Sequence, residues 1–76
     1  MRKRAMRRYV IVIAKAASNL SAYAPDVPGC VATGVTRRRT IANMRSALEM
    51  HIQGLREDEQ PIYEPTTIAE YVEIVS

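Results

Sequence analysis

A chain of 76 residues makes one domain with a modest core. Its make-up, 47% hydrophobic and 25% charged, is that of a globular protein, and no apolar run approaches the roughly 20 residues needed to cross a membrane. A lone cysteine excludes an internal disulfide and fits a reducing cytoplasm, while the net charge of +3 hides an uneven distribution. Before Ser46 the only acid among many Lys and Arg is Asp26; after it the acids Glu49, Glu57, Asp58, Glu59, Glu64, Glu70 and Glu73 face Arg56 alone. Such asymmetry points to a charged partner or to self-association.

Residues 1–8 read as a basic arm, and 9–76 as the domain. Arg2, Lys3, Arg4, Arg7 and Arg8 suit either contact with nucleic-acid phosphate or plain solvation. Met6 is a second candidate start, which would remove most of the arm. Tyr9–Lys15 is the clearest strand: Tyr9, Ile11 and Ile13 share one face, and Val10, Val12 and Ala14 the other. Both faces are apolar, so both need covering. A single helix covers one, so the other calls for a second chain.

Ser18 and Asn19 are turn residues before a second strand, Leu20–Ala24. Pro25-Asp26-Val27-Pro28-Gly29 is a rigid reversal, because two prolines fix φ and remove backbone donors, and Gly29 supplies a positive φ. Cys30–Thr33 is a short third strand that Gly34 breaks. Thr36 is an N-cap for a helix reaching about Glu57, with an apolar stripe of Ile41, Met44, Leu48, Ile52 and Leu55 at spacings of three and four. Arg37, Arg38 and Arg39 oppose the helix macrodipole in its first turn and so mark a contact for an anion, or else a solvated face. Pro61 and Pro65 bracket a loop, and Ile68–Val75 reads as a last strand. A right-handed crossover through the helix places that strand parallel to the first, giving a sheet of order 3-2-1-4.

Little in this pattern carries catalysis or binds a metal or cofactor. His51, the one histidine, has no Cys or Asp at ligand spacing, and Cys30 has no CxxC partner. No glycine-rich phosphate loop or nucleophile elbow is present. Metal-dependent nuclease chemistry needs converging carboxylates, and before the helix only Asp26 is available.

The stretch Ser21-Ala-Tyr-Ala-Pro-Asp-Val-Pro-Gly-Cys-Val-Ala-Thr-Gly34, the helix segment Ala42–Leu55 and the end Ala69–Ile74 resemble the HicB-family antitoxins of HicA–HicB toxin–antitoxin modules. The resemblance spans nearly everything from Tyr9 onward. It implies an α+β, degenerate ribonuclease-H-like domain without that fold's catalytic carboxylates. It also implies a non-catalytic role, binding and neutralising a small, basic, RNA-cleaving HicA-type toxin. Many members carry a further DNA-binding domain, to which nothing up to Ser76 corresponds. Members usually carry acidic residues and alanine where this chain has Arg37-Arg38-Arg39-Thr40, a patch that repels a basic toxin.

The expected toxin contacts are therefore the loop Asp26, Val27, Pro28, Gly29 and Cys30 and the acidic helix end Glu57, Asp58 and Glu59, in a homodimer or larger assembly. For the loop, turn formation alone is an equal explanation. The other reading is a small nucleic-acid-binding regulator that uses the basic arm and Arg37–Arg39.

Overall fold

The computed structural model describes residues 6–76. Three short antiparallel strands, β1 (Val12–Lys15), β2 (Leu20–Tyr23) and β3 (Val31–Gly34), are followed by one helix, α1 (Arg37–Glu57). The sheet order is β1-β2-β3. Val12 stands opposite Tyr23 and Tyr23 opposite Val31; the next row is Ile13, Ala22 and Ala32. Partners in a row share a face, so Ile13, Ala22 and Ala32 look toward the helix, and Val12, Tyr23 and Val31 look away from it.

The helix-side face is the core. Met44 and Val27 are wholly buried there with Ala22, Ala24 and Cys30, and Tyr9, Ile11, Ile13, Ala47 and Leu48 pack around them. Small alanines on β2 and β3 let α1 sit close. Closest of all is Gly34, where an added Cβ would lie 2.6 Å from Thr40 Oγ1 and 2.7 Å from the Thr40 backbone nitrogen. Gly34 is thus the last residue of β3 and the seat of the helix, rather than simply a strand breaker.

The helix starts and ends as its sequence directs. Thr36 is the N-cap, its hydroxyl accepting from the Arg39 N–H at 3.0 Å. At the other end Gln60 N donates to the Leu55 carbonyl and Glu59 N to that of Arg56, with Glu59 at a φ of +54°. These are the paired bonds of a Schellman cap, with glutamate in the left-handed position usually held by glycine. Pro61 follows and prevents the helix from resuming.

Two expectations need correction. The first strand is shorter than Tyr9–Lys15. Residues 9–11 lie outside the ladder because Ile11 would pair next to Pro25, which has no N–H to donate. The fourth strand is not formed, so the order 3-2-1-4 is not seen; residues 61–76 make no sheet pairing. Residues 63–69 run back past the first segment, and the chain then leaves the body. Tyr71, Val72, Ile74 and Val75 are all more than 80% exposed, and the molecule measures 52 × 28 × 23 Å. The face bearing Val12, Tyr23, Val31 and Val35 is likewise uncovered among the described residues.

Candidate partner-binding site

The loop between β2 and β3 is two consecutive turns. Val27 N donates to the Ala24 carbonyl at 3.1 Å and Cys30 N to that of Val27 at 3.2 Å. Pro25 and Pro28 each occupy the second position of a turn, and Gly29 has the φ of +81° that the second turn requires. Val27 and Cys30 point into the core, where burial pushes the Cys30 thiol pKa up and leaves it unreactive. Of the five loop residues expected at a contact, these two instead anchor the loop, and Pro28 and Gly29 form its exposed crown.

Asp26 is also engaged inward. Its carboxylate accepts four hydrogen bonds, from the backbone N–H and the hydroxyl of both Thr66 and Thr67, at 2.8–3.0 Å. These donors, led by the Thr67 N–H, hold its pKa below the usual carboxylate range. Nothing in the sequence signals this clamp: the partners lie about 40 residues away, and Thr66-Thr67 has no periodic signature. Two further ties hold the same segment. The Tyr9 hydroxyl donates to the Tyr63 carbonyl, and the Tyr63 ring lies 6.4 Å from that of His51. His51 is therefore a half-buried neighbour of the returning chain.

The acidic end, Glu57, Asp58 and Glu59, is fully on the surface at the C-terminus of α1. Negative charge there opposes the macrodipole, and Glu59 adds a left-handed backbone. The segment breaks two local rules and keeps three carboxylates exposed.

Of the basic residues, Arg2, Lys3 and Arg4 lie outside the described residues. Arg37, Arg38 and Arg39 are exposed on the first turn of α1. Arg7 and Arg8 sit elsewhere, with Arg45 and Arg56, on the rim of an open groove of about 520 Å³ between the first segment and α1. The groove floor is apolar, built from Ile11, Ile41, Leu48 and Ile52. The helix stripe is thus only partly used by the sheet, and its unused part lines this groove. Arg7 also approaches Glu64 at 3.9 Å, a loose surface pair. Among the described residues no group of three or more His, Cys, Asp or Glu is placed to hold a metal, and no helix is long and apolar enough to cross a membrane.

Comparison with known proteins agrees with the sequence resemblance. A sequence model of the family described as HicB_like antitoxin of bacterial toxin-antitoxin system matches residues 9–75. A protein of Haemophilus phage HP1 (strain HP1c1), described as an uncharacterized 14.9 kDa protein in the rep-hol intergenic region, is 33% identical over 64 residues. That alignment takes in 84% of this chain but 48% of the phage protein, so the chain spans about half the length of that relative. No solved structure matches the chain.

Proposed function

The chain belongs to the family of HicB-like antitoxins of bacterial toxin–antitoxin systems, and on this footing we propose that it binds and neutralises a small RNA-cleaving toxin of the HicA type in the cytoplasm, without catalysing a reaction itself. The family match across residues 9–75 carries this reading. Three antiparallel strands followed by a helix are consistent with the degenerate ribonuclease-H-like architecture of such antitoxins. Residues 1–8 precede the stretch that the family model matches.

The contact surface we favour is the acidic end of α1, with the Pro28–Gly29 crown as a second element. A toxin that holds RNA is basic, so three exposed carboxylates attract it and Arg37–Arg39 do not. Glu59 adds weight to this choice. A non-glycine residue kept in the left-handed region costs about 1–2 kcal/mol, and such strain gathers where a side chain is needed. A rigid loop and a capped helix end also lose little conformational entropy on binding.

The test is co-purification with a HicA-type toxin made catalytically inactive. The native chain should be retained. A variant with Glu57→Lys, Asp58→Lys and Glu59→Lys should fold but be lost from the complex. If the native chain is not retained, the proposal fails. If the triple variant binds as well as the native chain, the acidic end is not the contact.

A further inference from the structure

We propose that the C-terminal arm, Glu70–Val75, pairs with the free edge of β1 in a second copy of this chain, so that two molecules exchange arms in a closed dimer. The arm has the pattern of a strand, with Val72 and Ile74 on one side and Tyr71 and Val75 on the other. Among the described residues none of these side chains is covered: Tyr71 and Val75 are as exposed as in an unfolded chain. Alternating apolar residues on a free segment are costly unless covered.

The missing cover exists on the same molecule. Among the described residues β1 pairs only with β2, so its other edge presents unpaired backbone groups. A strand added there would turn one side toward the groove floored by Ile11, Ile41, Leu48 and Ile52, and the other would extend the bare face of Val12, Tyr23 and Val31. Lengths agree: six residues span roughly 20 Å, about the reach of the first segment together with β1. Charges agree as well. The arm carries Glu70 and Glu73, and the groove rim carries Arg8, Arg45 and Arg56 against Glu49.

The base of the arm already lies beside the segment that leads into β1. Thr67, Ile68 and Ala69 line a small cleft with Arg8, Tyr9 and Val10. The Asp26 clamp holds Thr66 and Thr67 in place, and only beyond them does the chain diverge from its own sheet. A fixed base with a projecting, sheet-competent end is what reciprocal strand exchange requires. A twofold operator makes one such contact into two and leaves no open arm.

Light scattering coupled to size exclusion tests this on three chains: the full chain, a chain ending at Ala69, which keeps the Asp26 clamp, and the full chain with Val72→Asp and Ile74→Asp. The full chain should be a dimer and the other two monomers with unchanged helical circular dichroism. Hydrogen exchange on the unmodified dimer should show protected amides in Glu70–Val75 and along the outer edge of β1, lost on dilution to the monomer. A monomeric full chain overturns the proposal, as does a truncated chain that remains dimeric. Arm protection in a monomer also overturns it, since the strand then pairs within its own chain. Should truncation unfold the domain, the double substitution and the exchange experiment decide.

Discussion

At Asp26 one carboxylate fastens the returning chain to the turn that precedes β3, and this gives the molecule an acid-sensitive tie. The four donors hold its folded pKa below the ordinary value of about 3.9. Its stabilising contribution is therefore complete above that value and is lost as pH falls through the lower, folded value. In the native chain the Thr66 and Thr67 amide shifts should move together below about pH 4. In Asp26→Asn that step should vanish, and the segment should be looser already at neutral pH. Shifts independent of this substitution would show that the clamp is idle. Gly34 and Gly54 make an opposed pair. A methyl at Gly34 meets the backbone of Thr40, which cannot step aside, so Gly34→Ala should cost about 1–3 kcal/mol in urea denaturation. A methyl at Gly54 meets nothing, so Gly54→Ala should stabilise by roughly 0.5–1 kcal/mol through helix propensity.

At the scale of elements, the ends of α1 carry the next prediction. Replacing Glu59 by glycine relieves the left-handed backbone of the Schellman cap, so Glu59→Gly should raise stability by about 1 kcal/mol. The same change removes one of three carboxylates at the proposed contact, so toxin affinity should fall while the melting midpoint rises. A stabilised variant that binds the toxin unchanged would remove Glu59 from the site. These elements also show what the sequence made legible. The Thr36 cap, the stripe through Met44 and the prolines of the β2–β3 loop are local signals, and each takes the place that its local sequence directs. The pattern of Ile68–Val75 is just as local and reads as a strand, but pattern alone does not say whether a sheet receives it. The sequence puts Val27 and Cys30 among the partner contacts because it does not show which way a turn residue points. The Asp26 clamp was hidden for a similar reason, since it joins residues 40 apart.

For the whole molecule, the charge asymmetry of the sequence becomes a spatial arrangement. Carboxylates crowd the end of α1 and the arm, while arginines rim the groove and the first turn of the helix. One face of the sheet is filled by the helix, and the other is exposed among the described residues. An arm-exchanged dimer covers β1 and the groove, leaving the acidic helix ends and the Pro28–Gly29 crowns outside for a second kind of partner. The central claim is that this assembly silences a toxin, and the most direct measurement is RNA cleavage by an active HicA-type toxin titrated with the purified chain. The account predicts that cleavage falls to background at a fixed stoichiometric ratio, and that the chain alone leaves the RNA intact. Cleavage that continues undiminished at excess chain would contradict it.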